Sequence, residues 1–201
     1  MPGTPLFNRK ERRQETIMAE EHNPPAKPSD EADRNQLKLA QEEGSAYFRS
    51  LQYMANEVAD NGATQQCGDM IVAFAQEEAE GMYMMKHGKL VWTEPADGEN
   101  CHFEVAVLDA TDKRFIPGLD VTLTVMTEDG TVVGAEHMPF LWHPGLYHYG
   151  RNWALPGDGR YTLRIEFPAP DFPRHDKTNG KRFAEPVQAT FEDVEVKTGR
   201  E

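Results

Sequence analysis

The sequence predicts an all-β protein whose main domain is an antiparallel β-sandwich, preceded by a helical extension and a disordered arm. Three observations favour this fold class. Short runs of alternating apolar and polar residues recur through the second half of the 201-residue chain. Gly, Asp and Pro turn residues separate these runs, and no helical pattern lies between them. We therefore divide the chain into a disordered arm (1–33), a helical segment (34–66) and a β-sandwich domain (67–201).

The predicted arm is rich in proline and charge. Hydrophobic residues make up only 38% of the chain and the mean hydropathy is −0.69, which is low for a compact domain and fits a long polar tail. Residues 1–22 are basic and then polar, without the apolar stretch of a secretory signal, and no other run could span a bilayer. We therefore expect a cytoplasmic protein.

The helical segment shows one apolar stripe. Ser29 or Asp30 is placed to cap its start, and Asn61-Gly62 is a natural stop. The stripe consists of residues three and four apart: Tyr47 or Phe48, Leu51, Met54 and Val58. We expect it to dock on the following domain; a helix-pair contact in a dimer is the alternative.

The domain at 67–201 carries the strand patterns. Residues 102–108 alternate, with His102 and Glu104 on one face and Phe103 and Val105 on the other. The other predicted strands are 70–75, 121–126, 131–133, 160–167 and 187–196. An Asp-Gly pair between the runs that begin at 121 and 131 predicts a hairpin.

The charge balance limits the partners. The chain has 34 acidic and 21 basic residues and a net charge of −13, so it would repel phosphate backbones and anionic lipid. Nucleic acid is therefore not an expected partner. Two cysteines are too few for a disulfide framework or a thiolate zinc site. Cys67 and Cys101 could pair if they meet in space, and we favour two separate buried thiols.

The stretch 137–150 contains several potential metal ligands. It contains three histidines and Met138, and Pro144-Gly145 should fold it back on itself. Imidazole and thioether ligands suit copper, zinc and iron. We interpret the stretch as one wall of a transition-metal site, with His148 as its ligand; packing among the neighbouring tyrosines is an equally open interpretation.

Other walls of the site would come from distant segments. His102 and Glu104 are two apart on a strand, so their Cα atoms lie roughly 6–7 Å apart on one face and can meet one ion; a solvated strand face is the alternative. His175 lies in a turn-rich loop, where a histidine is usually just solvated. Met138 and Met82 are candidate thioether ligands, although methionines more often fill gaps in a core.

Residues 68–196 resemble the periplasmic iron-transport accessory proteins, a family that includes copper-binding partners of bacterial iron permeases. Three ordered matches carry the resemblance: the His102-Phe103-Glu104 strand; Met138-Pro139 followed by His148-Tyr149-Gly150-x-Asn152; and Arg174-His175 with downstream Gly180, Phe183 and Pro186. The resemblance implies an immunoglobulin-like β-sandwich that is usually a homodimer. It implies a copper or iron site made by His102, Glu104, His148 and His175.

The chain departs from this family in two ways. Phe140 stands where the family has a second methionine, and it cannot bind metal; Met138 or Met82 could substitute. Losing a thioether should weaken Cu(I) relative to Cu(II), Fe(II) or Zn(II). The second departure is the missing secretion signal, so a periplasmic location remains the alternative to the cytoplasm.

We predict that 67–201 is a metal-binding domain of a non-enzymatic protein in iron uptake or metal handling. Its ion would be copper or iron, with zinc as the alternative, and its partners would be a second copy in a homodimer and a membrane iron permease. The alternative is a sandwich used for protein–protein interaction, with no metal site. A redox enzyme at a copper centre would need an open coordination position and a substrate cleft, and the sequence indicates neither.

Overall fold

A computed structural model describes residues 24–200 of the chain. These residues fold as the predicted antiparallel sandwich. Its elements are α1 (Arg34–Tyr53), a π-helical turn (Met54–Val58), β1 (Asn61–Cys67), β2 (Met70–Glu77), β3 (Met82–Lys86), β4 (Lys89–Thr93), β5 (Cys101–Asp109), β6 (Thr122–Thr127), β7 (Val132–His137), β8 (Phe140–Leu141), β9 (His148–Trp153), β10 (Gly159–Phe167) and β11 (Val187–Val196). Within this described range no helix is both long and apolar enough to cross a membrane.

Two sheets enclose the main core. One has the strand order β1-β2-β5-β9-β8 and the other β11-β10-β6-β7, while β3 and β4 form a separate hairpin. Phe103 and Val105 of β5 pack in this core against Leu163 and Ile165 of β10. The alternation predicted for β5 is confirmed, because its even-numbered side chains lie on the opposite, outer face of the first sheet.

The outer face of the five-stranded sheet is covered by α1, as the apolar stripe predicts. Leu51 and Met54 are buried in a second cluster with Ala106 and Leu108 of β5. Val58, the last predicted member of the stripe, is instead 54% exposed. It ends the π-helical turn, whose wider spacing rotates side chains away from the 3.6-residue stripe.

Two predicted boundaries are wrong. The helix is capped by Asp33, which accepts hydrogen bonds from the backbone N–H groups of Asn35 and Gln36, and not by Ser29 or Asp30. Residues 61–67, assigned to the helical segment, form strand β1 and pair antiparallel with β2. This strand is polar and largely exposed, so it lacks the alternation that reveals a half-buried strand.

The predicted disordered arm divides into two parts. Residues 1–23 lie outside the described range. Residues 24–33 lie against the loop that follows β10: the backbone of Lys27 exchanges two hydrogen bonds with the side chain of Asn179, and the Ser29 hydroxyl donates to Asp176. A polar segment can thus be ordered by hydrogen bonds to residues about 150 positions away.

The two cysteines are separate, as favoured from the sequence. Cys101 is fully buried in the main core at the start of β5, whereas Cys67, at the end of β1, is only partly buried. Neither thiol contributes to the histidine cluster described below.

Candidate metal centre

Three predicted ligands come together on the outer face of the five-stranded sheet. One nitrogen each from His102 and His148 and one carboxylate oxygen of Glu104 all lie within 4.8 Å of one another. The three residues are at most 4% exposed. Two imidazoles and a carboxylate held together away from water form a donor set that suits a divalent transition metal.

The strand pairing explains why these side chains meet. His102 and Glu104 are two apart on β5 and therefore point to the same face. In the antiparallel ladder between β5 and β9, Glu104 lies opposite Gly150, and His148 is two residues before Gly150 on the same face. Three side chains from two adjacent strands thus converge without any irregular backbone.

Gly150 provides the space between the two imidazoles. A Cβ atom at this position would lie 2.9 Å from His102 Nε2 and 3.2 Å from His148 Cδ2. Leu141 of β8 also lies here, with Cδ1 3.0 Å from the same point. The centre therefore has a small gap at Gly150 and an apolar side chain beside it.

Asn152 fixes the orientation of His102. Its Nδ2 donates a 2.8 Å hydrogen bond to the backbone oxygen of Glu80, so its Oδ1 faces His102 Nδ1 at 2.8 Å and accepts from it. This arrangement places the proton of a neutral His102 on Nδ1 and the lone pair on Nε2, which faces Gly150. Metal-binding histidines are typically oriented in this way by an acceptor on the other nitrogen.

The contact between His148 and Glu104 is electrostatically unusual. His148 Nε2 lies 3.2 Å from Glu104 Oε1. Burial, followed by repulsion from Glu77 and Glu80, raises the pKa of Glu104 to about 8. Burial, followed by the charges of His102 and His143, lowers the pKa of His148 to about 4. Both groups are therefore neutral near pH 7, as expected for charges removed from water.

The size of the cluster fits a single ion. Atoms that bind one metal at about 2.0–2.2 Å lie at most about 4.4 Å apart. The three donor atoms lie within 4.8 Å of one another, and His148 Nε2 and Glu104 Oε1 are only 3.2 Å apart, so the group is close to this range. A small rotation of the side chains would therefore be enough to coordinate the ion.

Two further residues lie beside the cluster: Glu80, which sequence reasoning missed, and His143, which belongs to the predicted wall 137–150. Glu80 Oε1 lies 3.6 Å from His102 Nε2, and its side chain is 35% exposed. It sits in the irregular segment between β2 and β3, where no periodicity marks it. His143 packs with its ring centroid 6.0 Å from that of His148, because the Pro144-Gly145 turn folds the stretch back as predicted.

His175 does not belong to this group within one chain. Its side chain is 91% exposed, and its Nδ1 lies 2.9 Å from a carboxylate oxygen of Glu31. The loop that carries it is tied to residues 27–29 by hydrogen bonds. The predicted meeting of His102, His148 and His175 in a single chain therefore does not occur.

The two candidate thioethers occupy different places. Met138 is fully buried in the core between the sheets, so it fills space there. Met82, on β3, lines a cleft of about 410 Å³ that also borders Gly150 and Asn152. Phe140 stacks on Tyr147 with ring centroids 5.5 Å apart.

Comparisons with known proteins agree with this architecture. The family model for Fe2+ transport proteins matches residues 54–197, in line with the resemblance drawn from sequence. FetP from uropathogenic E. coli strain F11, recombinantly expressed in the periplasm of E. coli, is 21% identical over 67% of this chain and 93% of its own, with a TM-score of 0.55. Copper-reconstituted P19 from Campylobacter jejuni is 18% identical over 70% and 96%, with a TM-score of 0.57. No curated protein sequence matches the chain.

These likenesses confirm the fold class and contradict one expectation. The cytoplasmic location expected from the sequence is wrong: the chain matches the Fe2+ transport protein model, and its structural neighbour FetP was expressed in the periplasm. The absence of a signal pattern was weak ground for that expectation, since it reports only on the residues that the sequence includes.

Proposed function

Since the chain belongs to the Fe2+ transport protein family, we propose that it binds copper or iron without catalysing a reaction and serves in iron uptake or metal handling. The observation that carries this proposal is the buried group of His102, Glu104 and His148. The structural neighbour P19 was solved in a copper-reconstituted form, which adds support.

The donor set favours a borderline ion over a soft one. Nitrogen and oxygen donors suit Cu(II), Fe(II) and Zn(II), whereas Cu(I) prefers thiolate and thioether. Leu141 contributes an apolar side chain at the gap by Gly150 and no sulfur. We therefore propose Cu(II) or Fe(II) as the natural ion.

A homodimer would give His175 a role at the centre. Because this exposed side chain lies outside the group in its own chain, it could complete the site only in a second copy. We also propose a periplasmic location and delivery of the ion to a membrane iron permease. The match to the Fe2+ transport protein family supports the delivery, and the periplasmic expression of the structural neighbour FetP supports the location.

Metal analysis and titration test the proposal. Protein purified without added metal should contain copper or iron by elemental analysis. Titration with Cu(II) at pH 7.5 should give one tight site in the wild type and a larger loss of affinity in His148→Ala than the about 10- to 100-fold that follows removal of a ligand's orienting partner. The control is His87→Asn, at the exposed turn of the β3–β4 hairpin. Equal binding by wild type and His148→Ala would refute the site.

A protein-interaction module is the second candidate. The β3–β4 hairpin presents several large apolar side chains to solvent: Tyr83, Met84, Met85, Leu90, Val91 and Trp92, each 41–67% exposed. Patches of this kind mark contact surfaces. Under this alternative the protein would bind no metal in the titration above, and light scattering would show a dimer that Trp92→Lys dissociates.

A further inference from the structure

The N-terminal helix α1 lies outside the part of the chain that the family model matches, yet it packs on the face that holds the metal centre. The match begins at residue 54, and α1 spans Arg34–Tyr53. Leu51 of this helix contacts the outer-face cluster that includes Ala106, which follows Glu104 on the same face of β5. The helix and the centre are therefore neighbours on one sheet surface.

The helix is seated closely and held at its start. A Cβ atom at Gly44 would lie 1.9 Å from the backbone oxygen of Asp112, so the helix and the turn after β5 approach backbone to backbone only because this residue is glycine. Asp33 and Gln36 form a capping box at the first turn. Upstream, Ser29 is tied to the loop after β10 by its bond to Asp176.

Tyr47 connects this helix to the centre. Its hydroxyl donates a hydrogen bond to the backbone oxygen of Tyr147, the residue immediately before His148. Its ring packs 5.5 Å from that of Phe115. Burial, followed by the charge of Glu104, raises the pKa of the Tyr47 hydroxyl.

The loop before His148 therefore has two attachments to α1. Leu146 is buried in the cluster with Leu51 and Met54, and the carbonyl of Tyr147 accepts from Tyr47. A loop held at two successive residues cannot easily rotate the backbone that follows it. The orientation of the His148 imidazole thus depends on the helix as well as on β9.

We propose that Tyr47 is a positioning residue of the metal centre and that α1 closes the outer face of the sheet beside it. This inference rests on the proposed function. The helix keeps His148 directed at Glu104 and slows exchange of the bound ion, a role supplied by this chain's own extension. Loss of the hydroxyl frees the Tyr147 carbonyl while leaving every metal ligand in place.

The test compares Tyr47→Phe with Tyr53→Phe, which removes a hydroxyl from a 66% exposed tyrosine of the same helix. Protein loaded with one Cu(II) is mixed with excess EDTA, and the rate of copper release is followed together with the electron paramagnetic resonance spectrum. Tyr47→Phe should release copper about 2- to 10-fold faster, as expected for one lost hydrogen bond, and should change the copper hyperfine splitting. Tyr53→Phe should match the wild type.

A second variant and a metal-free measurement complete the test. Gly44→Ala should push the helix away from the turn after β5 and accelerate copper release with Tyr47 intact. In the metal-free protein, amide hydrogen exchange at residues 146–149 should rise in Tyr47→Phe. Unchanged release rates and spectra in Tyr47→Phe, with normal wild-type binding, would overturn this inference alone. A wild type that binds no copper would overturn the proposed function, and the inference with it.

Discussion

The Oδ1 atom of Asn152 lies 2.8 Å from Nδ1 of His102, while its amide nitrogen donates to the backbone of Glu80. The side chain of Asn152 therefore cannot rotate to present its amide N–H₂ to His102 without losing a bond. This contact sets which nitrogen of His102 is available to a metal. It also joins the segment between β2 and β3 to the centre.

Replacing Asn152 by Ala should lower Cu(II) affinity about 10- to 100-fold, the range found when the partner of a ligating histidine is removed. Asn152→Asp keeps an acceptor for His102 Nδ1 and should recover much of the loss. Isothermal titration at pH 7.5 measures both. Equal affinities for wild type and Asn152→Ala would mean that His102 needs no such orientation.

Replacing Gly150 by Ala should close the gap between the imidazoles. Its Cβ would approach His102 Nε2 to 2.9 Å, so the ring must shift away from its ligating position. We expect Cu(II) affinity to fall at least 10-fold and the free energy of unfolding to fall by about 1–3 kcal/mol.

Gly159→Ala in β10 is the matched control for Gly150, because its Cβ would meet nothing closer than 3.6 Å. It should bind copper as the wild type does. The interpretation of Gly150 as a spacer would fail if both alanine variants bound copper equally well.

The stability of the metal-free protein should fall as pH rises from about 6.5 to 8. The folded pKa of Glu104 is raised to about 8, so between about 4.5 and 8 the folded state holds a proton that the unfolded state has lost. His148 has the opposite effect, since its folded pKa of about 4 makes stability rise between about 4 and 6.5. Above pH 6.5, of these two groups only Glu104 still changes the stability with pH.

Glu104→Gln isolates this effect. Urea unfolding with a chelator present, at several pH values from 6.5 to 8, should show a smaller loss of stability in Glu104→Gln than in the wild type. Parallel curves for the two proteins would show that the carboxyl of Glu104 is already ionised in the folded state at pH 6.5.

Metal uptake near pH 7 should release about one proton. A ligating carboxylate must be ionised, and Glu104 holds its proton at this pH because its pKa is about 8, whereas His148 is already neutral. Calorimetry in buffers of different ionisation enthalpy gives the number released. The value should approach zero above pH 9, and a value near zero at pH 7 would contradict the raised pKa.

The sequence predicts the structure correctly where a local pattern determines the direction in which side chains point. Alternation along 102–108 placed His102 and Glu104 on one face opposite Phe103, and that arrangement is present. The strand 61–67 was missed because its exposed, polar side chains carry no period of two. Local pattern thus reveals half-buried strands and overlooks polar edge strands.

The predictions that are wrong concern contacts between residues that are distant in the sequence. The separation of His175 from the cluster follows from a loop held by residues about 150 positions earlier, which no local pattern encodes. Met138 had the right chemistry for a ligand, but it lies in the core and not with the histidines. The roles of Glu80 and Asn152 appear only once β5, β9 and the segment after β2 are placed together.

X-ray absorption at the copper edge of protein loaded with one Cu(II) shows whether His102 and His148 bind the same ion. We expect nitrogen and oxygen neighbours at about 2.0 Å, with the scattering pattern of at least two imidazoles in the wild type and one fewer in His148→Ala. An imidazole count that is the same in both proteins would contradict this expectation, because the copper would then be bound away from His148.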